Sequence, residues 1–177
     1  FIDCFFESMS GLTTTGSTIL GSSTVTIESL SHGLLFWRSF TQFLGGMGII
    51  VFTIALLPLL GIGGVQLFRA EVAGPTADKI TPRVKQTAKL LWGIYIGFVF
   101  VLTIILYAQG MTFFDSLCHS FTTIATSGFS THTESIAYFN SSIIEWTIII
   151  FMLIAATNFT LHYIFLSQGK IDYFKDE

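Results

Sequence analysis

Two short strips of Thr, Ser and Gly recur along the chain, and their oxygen atoms are the groups best suited to chemistry. They comprise Thr13, Thr14, Thr15, Gly16 and Ser17, and Ala125, Thr126, Ser127, Gly128 and Phe129. Backbone carbonyls and hydroxyls ligate a dehydrated monovalent cation while allowing it to leave again. Neither strip contains an acidic residue, which argues against a divalent-cation site. We therefore predict cation ligands centred on Gly16 and Gly128, where positive φ would turn carbonyls inward at no steric cost.

Each strip follows a short apolar segment, and the two units form an internal repeat. The segments are Phe1–Leu12 and Phe113–Ile124, which are too short to cross a bilayer. Their β-branched residues and Gly disfavour helix in the strips, and non-helical backbone survives at membrane depth only where it is buried or lines a water-filled cavity. Each unit therefore predicts a re-entrant pore hairpin. Five identical residue pairs align: Phe1 with Phe113, Asp3 with Asp115, Ser8 with Ser120, Thr14 with Thr126, and Gly16 with Gly128.

Long apolar runs place these hairpins in a membrane. The chain is 51% hydrophobic and 11% charged, whereas soluble domains are about 25% charged. The runs Leu34–Ile62, Ala88–Ala108 and Ile143–Leu166 are long enough to cross a hydrocarbon core of about 30 Å. We expect an all-α membrane protein with three transmembrane helices and two re-entrant pore helices. The lipid bilayer is its first expected partner.

The repeat divides the chain into three parts. Residues 1–68 form a first repeat that lacks its first span, which predicts a truncated amino terminus. Residues 69–87 form a cytoplasmic linker, and residues 88–177 form a complete second repeat with span, hairpin, span and cytoplasmic end.

The basic residues predict the orientation. Five of the eight Lys and Arg residues lie within 69–89, two follow residue 168, and the hairpin-bearing stretches contain none. Cytoplasmic loops carry the excess of Lys and Arg. We therefore expect residues 69–89 and 168–177 to be cytoplasmic, and the strips to open to the extracellular or periplasmic side.

Two further sets of residues are candidates for structural or gating roles. Arg38 stands at the outer end of a span and either snorkels to the interface or pairs with an acid, since an unpaired charge there is costly. Glu7 is the first choice of partner, and Glu28 and Glu145 are the others. Gly45, Gly46 and Gly48 allow close helix packing, which we favour over a gate hinge.

Four segments together resemble the Trk/Ktr/HKT superfamily of potassium transporters, and most closely its bacterial TrkH/TrkG-type membrane subunits. They are FFESMSGLTTTGSTIL, FWRSFTQFLGGMGIIV, LLPLLGIGGVQLFRAE and FDSLCHSFTTIATSGFSTHTES. The resemblance implies span–hairpin–span repeats of potassium-channel type, four around one pore, of which this chain matches the first two. It also implies that both strips are selectivity-filter residues for potassium, the transported ion.

The resemblance implies partners as well. Members of the superfamily dimerise and bind a cytosolic ring of nucleotide-binding regulatory subunits, so we expect a homodimer in the bacterial inner membrane with such a subunit attached. Neither a covalent cofactor nor a nucleic-acid partner is expected. Channel-like passage and symport with sodium or protons are both compatible with these residues.

Other readings of the residues stay open. A secondary carrier of another small solute also keeps irregular backbone at the midplane, although carriers of charged solutes usually show intramembrane charges. A less selective potassium and sodium transporter of the same family is a second alternative. An intramembrane hydrolase would need a nucleophile elbow such as G-x-S-x-G, which this chain lacks. We therefore expect no enzymatic activity.

The topology is testable by cysteine labelling. Single cysteines placed within 69–89 should escape an impermeant maleimide added to intact cells, because the basic residues hold this segment inside. Cysteines in the hairpin loops, for example at Ser31, should be labelled and serve as the positive control. Strong labelling of the 69–89 set from outside would overturn the orientation.

Overall fold

A computed structural model describes residues 1–21, 26–56, 80–157, 159 and 162, without the side chains of 49–56 and 80–88. This part of the chain is helical and contains no β-strand. Its helices are α1 (Ile2–Leu12), α2 (His32–Leu56), α3 (Ile80–Ala108), α4 (Phe113–Ile124) and α5 (Ser142–Ala156). Short 3-10 turns occupy Ile27–Ser29 and Ser135–Phe139.

Local chemistry sets where α3 ends and α4 begins. Gly110 follows α3 with φ of 103°, the left-handed conformation that glycine adopts without strain just after a helix. Thr112 then caps α4, because its Oγ1 accepts a hydrogen bond from the Asp115 amide at 3.1 Å. The Thr112 hydroxyl also donates to the Asp115 carboxylate at 2.6 Å. A sharp turn therefore joins α3 to the short helix that precedes the second strip.

The core forms where α4 meets its neighbours. Helix α4 packs against α2, α3 and α5, while α1 packs against α2. Phe121 and Ile124 of α4 are buried among apolar side chains of the surrounding helices. The others in this cluster include Met47, Tyr95, Val99, Leu102, Leu106, Ile144 and Ile148. Both short helices are therefore supported mainly by long ones.

The predicted hairpin helices agree closely with α1 and α4, whereas the predicted spans agree less closely. Helix α2 begins near the predicted residue 34, and the end of that span lies outside the described residues. Helix α3 begins at Ile80, inside the predicted linker. The part of that linker before Ile80 and residues 168–177 lie outside the described residues. Within the described part, one segment, Lys89–Ala108, combines the length and apolarity needed to cross a membrane.

Helix α5 ends earlier than the sequence predicts. Thr157 is extended, with φ of −77° and ψ of 154°, so the predicted span Ile143–Leu166 is interrupted there. The Thr157 hydroxyl donates to the Ile154 carbonyl at 2.7 Å. Such local side-chain bonds compete with the helix ladder for the backbone. At about 1.5 Å per residue, the 15 residues of α5 rise only about 22 Å.

Two consecutive glycines of α2 contact the carboxyl ends of both short helices. A Cβ on Gly45 would collide with the Leu12 carbonyl at the end of α1. A Cβ on Gly46 would lie 2.5 Å from the Tyr95 hydroxyl and 3.1 Å from the Cα of Ala125, which follows α4. A Cβ on Gly48 would meet nothing within 4 Å in the described structure. Among the described residues, close packing accounts for Gly45 and Gly46, and no atom lies close to the Cβ position of Gly48.

This difference predicts opposite effects of the same substitution three residues apart. Gly45→Ala should lower the melting temperature of the detergent-solubilised full-length protein, since overpacking costs about 1–3 kcal/mol. Gly48→Ala is the matched control and should be neutral or slightly stabilising, because Ala favours helix by about 1 kcal/mol over Gly. Equal melting temperatures for the two variants would contradict this packing.

Candidate functional site

Helices α1 and α4 end in the same backbone geometry. At each end, the residue two positions beyond the helix donates to a carbonyl three residues back, and the next residue donates to one five back. This pair of bonds defines the Schellman motif. The bonds are Thr14 to Gly11 (3.1 Å) and Thr15 to Ser10 (3.1 Å), and Thr126 to Thr123 (3.0 Å) and Ser127 to Thr122 (3.0 Å). The internal repeat is therefore present in the backbone at both strips.

The motif places a threonine where glycine is usual. Thr14 has φ of 55° and Thr126 has φ of 51°, a region that is strained for a β-branched residue. Such conformations cost on the order of 1–3 kcal/mol and cluster at functional sites. The alignment of Thr14 with Thr126 is the sequence signal for this shared conformation. The sequence nevertheless predicts positive φ only at the glycines.

The predicted positive φ is present at Gly16 and absent at Gly128. Gly16 has φ of 75°, and a Cβ there would lie 2.9 Å from the Gly128 amide nitrogen. The two strips therefore touch at their glycines. Gly128 does not adopt positive φ, and a Cβ on it would meet nothing within 4 Å among the described residues. In the second strip the Phe129 amide donates to Gln42 Oε1 of α2 at 3.2 Å, and the described structure shows no equivalent bond at the first strip.

The strips contain a run of carbonyls without donors. Within the described structure, no hydrogen bond reaches the carbonyl oxygens of residues 13–16 or 125–129. The carbonyls just beyond them are occupied: that of Ser17 accepts from the Ser10 hydroxyl at 2.5 Å, and that of Ser130 accepts from Arg38 at 3.4 Å. Ser17 is therefore less suited to ligate an ion than its predicted place in the first strip implied.

Arg38 joins the two hairpins, and we call its contacts the arginine clasp. Its guanidinium pairs with Glu7 of α1 at 2.8 Å, so the expected partner is present. It also donates to the Thr18 hydroxyl at 3.1 Å, beyond the first strip. On the other side it lies 4.2 Å over the Phe129 ring, at the end of the second strip. One buried cation thus contacts the elements flanking both strips.

The second repeat uses different residues for the equivalent contact. Glu7 accepts from Thr18 at 2.7 Å, and the aligned pair His119 and Ser130 lie 3.1 Å apart. His119 Nδ1 lies 2.8 Å from the Asp115 carbonyl, to which it can only donate. In the neutral ring, Nε2 is then the acceptor for the Ser130 hydroxyl. Each short helix is therefore tied to the chain just beyond its strip by a polar contact at the same aligned pair of positions.

A carboxylate beyond the first strip joins the two loops that follow the strips. Glu28 accepts from the Thr133 backbone amide at 2.7 Å and from its hydroxyl at 2.7 Å. These bonds, the backbone one first, lower the pKa of Glu28 to about 2. Glu28 is therefore ionised at neutral pH and pairs with Thr133 rather than with Arg38.

The functional residue that sequence reasoning missed is Gln42. It is fully buried on α2, and its Oε1 accepts from the Ser127 hydroxyl at 2.6 Å as well as from Phe129. An uncharged polar residue inside an apolar run was the available signal. Its partners lie more than 80 residues away, so no local pattern connects them.

The arginine clasp predicts strong coupling in a double-mutant cycle. Arg38→Gln or Glu7→Gln alone leaves a buried charge unpaired, which costs about 3–5 kcal/mol. The double variant should be clearly more stable than the sum of the two losses predicts. Thermal stability of the solubilised full-length protein is the measurement. Arg38→Gln combined with Glu28→Gln is the control and should be additive, and an additive result for Arg38 and Glu7 would remove the clasp.

The chain matches a known protein family and several of its members. The family model TrkH, described as a cation transport protein, matches residues 1–176. The Trk system potassium uptake protein TrkH of Vibrio parahaemolyticus is 49% identical over 178 residues, covering 98% of this chain and 36% of the relative. TrkH of Escherichia coli is 50% identical over 176 residues, with the same coverage. TrkG of Escherichia coli is 44% identical over 173 residues, covering 97% of this chain and 35% of the relative.

A solved structure agrees with the fold. The crystal structure of the potassium transporter TrkH from Vibrio parahaemolyticus matches with a TM-score of 0.77 and 46% sequence identity. The match covers 94% of this chain and 32% of that one. The chain therefore spans about a third of the length of the proteins it resembles.

Proposed function

Because the chain belongs to the TrkH family of cation transport proteins, we propose that it is part of a potassium uptake pathway. In this proposal the two strips contribute carbonyl oxygens to a selectivity filter, and the filter is completed by two further pore loops. The relatives named as potassium uptake proteins support the choice of ion. The observation that carries the proposal is the run of donor-free carbonyls in two touching strips.

Carbonyls without donors need another partner at membrane depth. Each unsatisfied backbone group there costs several kcal/mol, and water or a cation can take the place of the missing donor. A ring of carbonyls replaces the hydration shell of an ion and lets it leave again. The occupied carbonyls of Ser17 and Ser130 support a limit to the ion-binding run in each strip.

The two short helices support a cation at this place electrostatically. Helices α1 and α4 both end directly at a strip, so their carboxyl ends are directed toward it. A helix carries about half a negative charge at that end. The two helix ends thus add negative potential for a monovalent cation at the strips. The strips contain no ionised side chain that would hold the cation too tightly.

Topology and assembly follow as part of the same proposal. We place the strips on the outer side of the bacterial inner membrane and residues 69–89 in the cytoplasm, on the strength of the basic residues. Large apolar side chains exposed on α3 and α5, such as Phe100, Ile104, Trp146 and Leu153, support contact with lipid. The homodimer and the nucleotide-binding regulatory subunit rest on the family alone.

Gly16 is the sharpest test of the filter. Gly16→Ala adds a Cβ at positive φ and against the second strip, so it should lower the preference for potassium over sodium about tenfold, which takes only about 1.4 kcal/mol. Gly128→Ala should change the preference less, because its Cβ has open space among the described residues. The measurement is rubidium and sodium uptake by the full-length protein, normalised to inserted protein.

A strained glycine elsewhere provides the control. Gly110 also has positive φ, at 103°, but none of the residues that the structure describes lies within 4 Å of its Cβ position. Gly110→Ala should therefore lower stability without changing ion preference. An unchanged preference in Gly16→Ala, or an equal change in Gly110→Ala, would contradict the filter. Absence of rubidium uptake in the wild type would favour a carrier of another solute, and equal uptake of both ions would favour the less selective alternative.

A further inference from the structure

We propose that Gln42 is a positioning residue that holds the second strip so that the Gly128 carbonyl is directed away from α2 and toward the ion. The inference rests on the proposed function and adds a residue outside both strips to the determinants of ion preference. Gln42 is fully buried in α2. It reaches the second strip through its side-chain oxygen alone.

The Gln42 oxygen binds two consecutive parts of the strip. Oε1 accepts from the Ser127 hydroxyl at 2.6 Å and from the Phe129 amide at 3.2 Å. The Ser127 hydroxyl also lies 3.0 Å from the Thr122 carbonyl in the last turn of α4. A single oxygen on α2 therefore fixes the strip relative to the end of the short helix.

Because the peptide unit is rigid, this hydrogen bond also determines the direction of the neighbouring carbonyl. The described chain contains no cis peptide, and in a trans peptide the C=O of one residue points opposite to the N–H of the next. Because the Phe129 N–H points at Gln42, the Gly128 carbonyl points away from α2. That carbonyl accepts no hydrogen bond within the described structure. Gln42 thus determines the direction of a candidate ligand without touching the ion.

The chemistry of the side chain fits this role. The Gln42 Nε2 is buried and has no partner among the described residues, so packing alone would be served as well by Met or Leu. The side-chain oxygen is the polar atom of Gln42 that has hydrogen-bond partners. This indicates that an amide is present here because its oxygen can accept hydrogen bonds. Being neutral, it adds no charge that would hold a cation or attract a divalent ion.

Arg38 lies one helical turn before Gln42, on the same face of α2, and contacts the end of the same strip. Its guanidinium covers the Phe129 ring at 4.2 Å and donates to the Ser130 carbonyl. The first strip ends on its own hairpin instead, through the bond from Ser10 to Ser17. Within the described structure, α2 side chains bond directly to the residues of the second strip, where Gly128 lacks the positive φ found at Gly16, whereas at the first strip they reach the flanking residues Glu7 and Thr18.

The test compares three variants of the full-length protein. Gln42→Met keeps the shape and removes the acceptor, so the ratio of rubidium to sodium uptake should fall about tenfold at unchanged levels of inserted protein. Gln42→Glu retains an oxygen acceptor, and complete burial at this position favours its neutral carboxyl form, so this variant should keep most of the wild-type preference. Gln109→Met is the matched control: Gln109 donates to Thr147 at 2.7 Å, away from the strips.

The readout separates positioning from general structural damage. A positioning role predicts that the apparent KM for rubidium rises relative to that for sodium in Gln42→Met, whereas a loss of folded protein lowers both maximal rates equally. The inference is overturned if Gln42→Met keeps the wild-type preference. It is also overturned if Gln42→Glu and Gln109→Met lose the preference as much as Gln42→Met does. If Gly16→Ala still changes the preference in that case, the proposed filter stands and only the role of Gln42 fails.

Discussion

Backbone that leaves its helix at membrane depth must find partners for its polar groups. In the proposed filter the strip carbonyls lie at that depth, and no donor of the described residues reaches them. The surrounding features keep those carbonyls in place while leaving them open. Schellman motifs satisfy the last carbonyls of α1 and α4, so the helices stop without consuming oxygens from the strips. Beyond the strips, the Ser17 and Ser130 carbonyls are paired again. The open run is bounded at both ends by ordinary hydrogen bonding.

The two repeats achieve this arrangement with different chemistry. In the first, Glu7 binds Thr18 and needs Arg38 to balance its charge. In the second, neutral His119 lies beside Ser130 and needs no counter-ion. The backbone bonds at the helix ends are nevertheless nearly the same, at 3.1 Å in the first repeat and 3.0 Å in the second. Geometry is therefore preserved across the repeat while the side chains that secure it have diverged.

Sequence reasoning located the hairpins because their determinants are local. The segment Phe113–Ile124 coincides with α4, since Thr112 caps its start and the Thr-rich strip follows its end. The expected Arg38 and Glu7 pair is also present, because few acids can balance a buried cation. Where the outcome depends on distant contacts, the sequence was insufficient. Gln42 reaches its partners in the second strip across 85 and 87 residues of sequence. The early end of α5 is a local feature, accompanied by the hydroxyl bond from Thr157 to Ile154, which the apolar run does not reveal.

Helix α2 combines these requirements within about three turns. Arg38 and Gln42 lie one turn apart and bind the second strip, and Gly45 and Gly46 admit the ends of both short helices at close range. A larger residue at either glycine would push the short helices outward, and the bonds made by Arg38 and Gln42 tolerate little displacement because hydrogen bonds weaken steeply with geometry. Close packing and polar anchoring on α2 are therefore interdependent. The small residues set the distance at which the two polar side chains can hold the strips.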